Sequence, residues 1–136
     1  MSSQRTIDQK RAASAWKAIE AVNDTSEDFK KKYATWVRSA PAYVMTNGLG
    51  QTLAFMLAKG KGYDANTAPS SLYRHLSEWV CPKMGWKQAD LLLRKLIEPG
   101  SKSDVYRRAT TEALAYLVWL KRFAEAVLPE VTDGGE

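Results

Sequence analysis

Residues 106–128 read YRRATTEALAYLVWLKRFAEAVL, and the rest of the chain is organised around this stretch. Its apolar residues recur at steps of three and four, which places them on one side of an α-helix. They are Tyr106, Ala109, Ala113, Leu117, Leu120, Ala124 and Val127. Ser103 or Asp104 is expected to cap the helix, and Pro129 to end it. Because Ala113 to Leu120 is apolar without a break, this helix either lies at the centre of a bundle or buries a second face against another protein.

The remaining sequence predicts five more helical segments with short connections. They run from Thr6 to about Val22, from Thr25 or Ser26 to Pro41, from Pro41 to Lys59, from Pro69 to Pro82 and from Gln88 to Ile97. Alternation typical of strands is nearly absent, so we predict an all-α fold, a compact bundle of five to six helices. Residues 1–136 are expected to form a single domain, with an acidic tail over 130–136 that frays.

Some local features of the chain have more than one interpretation. Pro41 is expected to break or kink the second helix and restart it. Either Asn47-Gly48 is a turn that splits the third segment, or Gly48 and Gly50 allow close approach of two helices; a mostly helical segment with a weak point there is favoured. The expected caps are Thr6, as a capping box with Gln9, and Thr25 or Ser26. The buried stripe expected on the first helix is Ala12, Ala15, Trp16, Ile19 and Val22.

Composition bounds the class of protein. A hydrophobic fraction of 45% is enough for a folded core, and the net charge of +5 is compatible with a polyanion partner without requiring one. The single cysteine, Cys81, fits a reducing compartment, and the N-terminus lacks the apolar run of a signal peptide. No apolar run approaches the roughly 20 residues that span a bilayer. We therefore expect a cytoplasmic protein with no membrane partner.

The sequence offers few groups for chemistry. His75 is the only histidine, and its place on the fourth helix is near the expected solvent boundary; a structural or exposed role is favoured. Cys81 is expected to be a small buried hydrophobe. Metal-ligand spacing and a phosphate loop are absent from the sequence. We predict no enzyme, no metal and no cofactor; a small hydrolase would need a pocket that unites His75 with Cys81 or carboxylates.

Positive charge is unevenly distributed. From Phe29 to Tyr63 there is no acidic residue, and the positive charge of this span favours a phosphate backbone, read without sequence specificity. The candidate nucleic-acid-binding residues are Lys30, Lys31, Lys32, Arg38, Lys59 and Lys61, with Lys10 and Lys17 on the first helix. Lys31, Lys32 and Arg38 are expected to share one helix face.

The last helix supplies candidates for contact with another subunit. Tyr116 and Trp119 cannot both point at one core stripe, so one is expected to face a partner. Arg107 and Arg108 either order helix ends or pair with Glu112 and other acids, or they face a neighbouring subunit or RNA. The candidate interface residues are Arg107, Arg108, Tyr116, Trp119 and Arg122.

Two blocks of the sequence carry a resemblance to a known family. They are NGLGQTLAFMLAKG at residues 47–60 and YRRATTEALAYLVWLKRFAEA at residues 106–126. Together they resemble the small helical subunit, the fifth, of the Cmr-type (type III-B) CRISPR effector complex. The resemblance implies a non-catalytic subunit of an RNA-guided antiviral complex.

In that family, copies of the small subunit stack beside the backbone subunits that hold the guide RNA, contact the large polymerase-like subunit and help line the path of target RNA. The partners implied are therefore those subunits, guide and target RNA, and other copies of this chain. A helical protein–protein adaptor with no nucleic-acid role is the alternative.

Overall fold

The computed structural model describes residues 5–87 and 91–128, and this part of the chain contains six α-helices and no strand. The helices are α1 (Ile7–Asn23), α2 (Glu27–Asn47), α3 (Leu49–Lys59), α4 (Ala68–Lys83), α5 (Leu92–Ile97) and α6 (Ser103–Val127). The predicted all-α bundle of five to six helices is therefore confirmed. The expected helix start at Gln88, the stop at Pro129 and the tail over 130–136 lie outside the described residues.

α6 lies at the centre of the bundle, because it packs against α1, α2 and α4. Its buried residues are Ala109, Ala113, Tyr116, Leu117, Leu120 and Ala124. Within the apolar block 113–120, only Val118 is exposed, at 45%. The interpretation that this helix lies at the centre of the bundle therefore holds for most of the block, since the apolar surface of the block is covered by helices of the same chain. Val127, expected in the buried stripe, is 36% exposed.

α4 is a second central helix, which the sequence did not reveal. It packs against α1, α2, α3, α5 and α6, and it buries small polar residues as well as its predicted apolar stripe. The hydroxyl of Ser77 accepts a hydrogen bond from the amide of Leu92 at 3.2 Å, and that of Tyr73 accepts one from Leu93 at 3.2 Å. These bonds hold the start of α5 against α4 and satisfy backbone donors that no side-chain cap covers.

Of the three predicted N-terminal helix caps, two are confirmed and one is wrong. Thr6 and Gln9 form the predicted capping box, with reciprocal bonds of 3.1 and 2.8 Å. Ser26 caps α2 through a 3.2 Å bond from the amide of Phe29. The prediction for α6 is wrong, because the cap position falls on Lys102 and no side chain caps the helix. Ser103 and Asp104 lie inside the first turn, where a carboxylate suits the helix dipole.

The break expected at Pro41 occurs instead at Gly48. Pro41 lies inside α2, which continues to Asn47, so the prediction that this proline restarts a helix is wrong. The helix tolerates the missing amide there because neighbouring turns and tertiary packing hold it together. At Gly48 the backbone has φ +88°, a conformation that favours glycine, and α3 begins at the next residue. The alternative in which Asn47-Gly48 splits the segment is therefore confirmed.

Two predictions of side-chain environment are corrected. Trp16, predicted in the core, is 38% exposed, and Ala12 is only half-buried. Ala18 is buried in their place, because α1 is turned so that 15, 18, 19 and 22 face the bundle. His75, predicted near solvent, is only 7% exposed, because α4 is enclosed on most sides.

Candidate nucleic-acid and subunit surfaces

The outer face of α2 carries the basic residues predicted from the sequence, but their charge is partly neutralised. Three of them are exposed: Lys31, Lys32 and Arg38. The ammonium of Lys32 lies 3.1 Å from a carboxylate oxygen of Asp28, and that of Lys30 lies 3.3 Å from Glu27. Both acids belong to the first turn of α2, just before the acid-free span. The expectation of uncompensated charge is therefore wrong for Lys30 and Lys32.

The other predicted cations lie on different elements. Lys59 ends α3, and its ammonium lies 5.8 Å from the centroid of the Phe55 ring. Lys61 is exposed in the following loop. Lys10 and Lys17 are exposed on α1. The eight residues are thus distributed over three helices and a loop.

Glu112 of α6 joins three helices through its carboxylate. The guanidinium of Arg11 on α1 donates two hydrogen bonds to it, at 2.5 and 3.0 Å, and the indole of Trp79 on α4 donates a third at 2.8 Å. Burial raises the pKa of Glu112, but the hydrogen bonds from Arg11 and Trp79 outweigh it and hold this pKa below its ordinary value. Glu112 therefore forms its ion pair with Arg11, and within the described residues Arg107 and Arg108 form no ion pair with it.

Two surface clefts meet at Lys83, in the last turn of α4. The first, of about 400 Å³, is lined by Lys83, Met84, Arg107, Arg108, Thr111 and Glu112. The second, of about 650 Å³, lies between α1 and α4. Its cations are Lys17, Arg74 and Lys83.

We call these two clefts the basic groove, defined by Lys17, Arg74, Lys83, Arg107 and Arg108. The sequence identified three of these residues and missed Arg74 and Lys83. Both lie on α4, and nothing local in the sequence indicates that this helix is flanked by α1 and α6. The groove is therefore a product of tertiary packing, and no signal in the sequence would have found it.

Of the candidate subunit contacts on α6, Tyr116 is corrected. Its side chain is 1% exposed, its ring stacks on Trp79 with centroids 5.4 Å apart, and its hydroxyl shares a 3.0 Å hydrogen bond with Ser14. A side chain enclosed in this way cannot reach a partner. Trp119 is half-buried and Arg122 is exposed, so these two residues remain on the surface.

Trp119 belongs to a cluster that we call the aromatic surface, formed by Trp16, Trp119 and Phe123. Trp16 meets Phe123 edge-on at a centroid distance of 5.0 Å, and Trp119 lies 5.4 Å from the same ring. The indole N–H of Trp119 donates to Asp8 at 3.0 Å, and this bond, followed by that from Arg11, lowers the pKa of Asp8. Three partly exposed rings held by α1 and α6 form an apolar surface of the kind enriched at protein interfaces.

His75 and Cys81, the two side chains considered for catalysis, are both buried in the bundle. Nδ1 of His75 shares a 2.7 Å hydrogen bond with the buried hydroxyl of Tyr33, and burial lowers the pKa of His75 to about 4. Cys81 is fully buried. Over residues 5–87 and 91–128 there is no cluster of three potential metal ligands. In the same ranges no helix is long and apolar enough to cross a membrane.

The two sequence blocks at 47–60 and 106–126 meet in the structure. The amide of Gly50, in the first turn of α3, donates a 2.6 Å hydrogen bond to the hydroxyl of Tyr106 in α6. An added methyl group at Gly50 would lie 3.0 Å from that oxygen. The approach is made by the Tyr106 side chain and not by the two helices, so the second interpretation of the glycines, close approach of two helices, is not confirmed. The contact replaces the side-chain cap that α3 lacks.

A small helical bundle with a basic groove and an exposed aromatic surface has the features of a protein that binds other macromolecules. The family model described as "CRISPR-associated protein (Cas_Cmr5)" matches residues 7–127. The chain therefore belongs to the Cmr5 family of CRISPR-associated proteins, and the resemblance of the two sequence blocks is confirmed.

Similarity to a curated sequence and to a crystal structure, both from Thermus thermophilus, supports this assignment. The CRISPR system Cmr subunit Cmr5 is 29% identical over 119 residues, which cover 85% of this chain and 93% of the relative. The crystal structure of a CRISPR-associated Cmr5 family protein matches with a TM-score of 0.67 and 25% identity, over 92% of this chain and 100% of that one. The similarity thus extends over nearly the whole length of both proteins.

Proposed function

We propose that this protein is a non-catalytic small subunit of a type III-B (Cmr) RNA-guided antiviral complex in the cytoplasm, where it stacks along the complex and helps hold or line the path of target RNA. The observation that carries the proposal is the match to the Cmr5 family over residues 7–127. The named Thermus relative is a Cmr subunit, and the matched region covers 93% of it.

The surroundings of His75 and Glu112 support a non-catalytic role. A general acid or base needs access to substrate and a pKa near the working pH. His75 is buried against Tyr33 with a pKa of about 4, and Glu112 is bound by Arg11 and Trp79. These groups stabilise the bundle, and we assign cleavage of RNA to other subunits of the complex.

The aromatic surface is the best candidate for contact with another subunit. Trp16 is 38% exposed and lies beside Trp119 and Phe123, while Arg122 is exposed next to Phe123 on α6. Aromatic residues and arginine are enriched at the energetically important positions of protein interfaces. The partners we propose are the large polymerase-like subunit, the backbone subunits and other copies of this chain.

Reconstitution of the complex tests this proposal. Trp16→Gln should weaken incorporation of the subunit, because it removes exposed apolar area at the aromatic surface. Met45→Gln is the matched control, since Met45 is 73% exposed on α2, away from this surface. Incorporation that falls equally for both variants, or for neither, would remove the aromatic surface as a contact.

A charge-reversal variant tests the RNA part of the proposal. Changing Lys31, Lys32 and Arg38 to Glu adds negative charge to α2 and should weaken target-RNA retention by the assembled complex if this face follows the RNA. Retention and target cleavage that do not change would remove α2 from the RNA path. If this protein assembles with its partners equally well at low and high salt and does not associate with RNA, the adaptor alternative would be favoured.

A further inference from the structure

We infer that the basic groove across α1, α4 and α6 binds the phosphate backbone of single-stranded RNA, and that it does so in preference to the outer face of α2. This inference rests on the proposed function and names the surface that performs it. It adds Arg74 and Lys83 to the candidate residues, and it assigns Arg107 and Arg108 to RNA rather than to a neighbouring subunit.

The balance of charge distinguishes the groove from the face of α2. Two acids line the groove together with its five cations. Glu112 already accepts hydrogen bonds from Arg11 and Trp79, and Glu78 lies 3.7 Å from Arg74, so within the described residues this pair offsets one of the five cations of the groove. Within residues 5–87 and 91–128, Arg107 and Arg108 form no ion pair. On α2, by contrast, two of the lysines are neutralised locally.

The positions of the cations suit a phosphate chain. The ammonium of Lys83 lies 4.3 Å from the ring centroid of Trp79, so its side chain is held over the junction of the two clefts. Arg74 and Lys83 are nine residues apart on α4, which corresponds to about 14 Å along the helix axis. Arg107 and Arg108 extend the positive surface onto α6, and Lys17 extends it onto α1. An elongated concave surface with a net positive charge attracts a polyanion.

RNA is a better occupant of this groove than an acidic protein segment. The cations come from three helices and follow a concavity longer than one or two carboxylates would need. The aromatic surface, which suits protein, is formed by α1 and α6 residues outside both clefts. Phosphate contacts of this type read no base sequence, which agrees with a subunit that must accept any target.

Two triple variants of the full-length protein test the inference. The groove variant is Lys17→Gln, Lys83→Gln and Arg108→Gln; the α2 variant is Lys31→Gln, Lys32→Gln and Arg38→Gln. Each loses two lysines and one arginine. Affinity for labelled oligouridine is measured between about 50 and 200 mM salt, for the free subunit and for the reconstituted complex. Circular dichroism and Tm confirm that both variants fold.

The groove variant should bind RNA about 100-fold more weakly near 0.1 M salt, and its log–log salt slope should fall by about 2, since each single-strand phosphate contact contributes about 0.7. The α2 variant should stay close to wild type. The reverse pattern would overturn the inference and leave the proposed RNA contact intact. Loss of complex assembly with unchanged RNA affinity in the groove variant would also overturn it, because the groove would then bind protein. If wild type adds no RNA affinity, alone or in the complex, the proposed function itself fails.

Discussion

Substituting Glu112 by Gln should destabilise the bundle, because this carboxylate ties α6 to α1 and α4. The glutamine side chain is nearly isosteric, but it turns one of two acceptor oxygens into an amide that faces the donors of Arg11. The structure gives Arg11 and Glu112 side-chain exposures of 17% and 15%, so screening by water is partial. Loss of one charge-assisted hydrogen bond at such a site costs about 2 kcal/mol. At about 4 °C per kcal/mol, Tm should fall by about 8 °C.

Thermal unfolding followed by circular dichroism, with urea unfolding for the free energy, measures this loss. Glu125→Gln is the matched control, since Glu125 is exposed on the same helix and should change the free energy of unfolding by less than about 0.5 kcal/mol. A double-mutant cycle with Arg11→Met isolates the pair energy. Equal Tm values for Glu112→Gln and Glu125→Gln would refute the role given to this carboxylate.

The same comparison has a defined pH dependence. The folded-state pKa of Glu112 lies below the ordinary glutamate value of about 4.3, so its contribution to stability is fully present above that pH. As pH falls further the contribution declines, and it is lost once pH passes the folded-state pKa. The difference in stability between wild type and Glu112→Gln should therefore be constant near neutrality and shrink in acid. A difference that stays constant down to pH values well below about 4.3 would contradict this explanation.

Three further predictions concern other contacts in the bundle. Because the pKa of His75 is lowered to about 4, the imidazole of the unfolded chain is protonated at a higher pH, about 6.5, than that of the folded chain. The free energy of unfolding should therefore decrease as pH falls from about 6.5 to about 4. His75→Gln should lack this part of the pH dependence when urea unfolding is measured at several pH values. Gly60→Ala would place a methyl group in collision with the hydroxyl oxygen of Ser70 and should cost about 2 kcal/mol by chemical denaturation; an unchanged midpoint would show that the loop relaxes freely. Tyr106→Phe removes the acceptor for the Gly50 amide and should cost about 1 kcal/mol, detected as faster hydrogen exchange of that amide; unchanged exchange would contradict a capping role.

Local sequence signals predicted most helix boundaries. The capping box at Thr6, the serine cap at Ser26 and the glycine at position 48 each act within one or two turns, so their effect is visible in the sequence. The apolar period of α6 identified five of its six buried residues and missed Tyr116. The prediction that Pro41 restarts a helix was wrong because a long, well-packed helix tolerates one missing hydrogen bond, so tertiary packing overrode the local signal.

The candidate surfaces could be predicted only in part. Glu27 and Asp28 neutralise lysines one turn later, which helical spacing alone could have indicated. By contrast, Arg74 and Lys83 face α1 and α6 only because α4 occupies the centre of the bundle. Whether a given residue of α6 faces a partner or the core also depends on how the helices are rotated against each other. Tertiary arrangement of this kind leaves no periodic signal in the sequence.

Native purification of the tagged protein from its host, with analysis of both co-purifying proteins and small RNAs, tests the central claim most directly. Membership of a Cmr effector complex predicts recovery of several other Cmr subunits together with a discrete set of guide-sized RNAs. Recovery of the protein alone, or with unrelated proteins and no RNA, would contradict the proposed function.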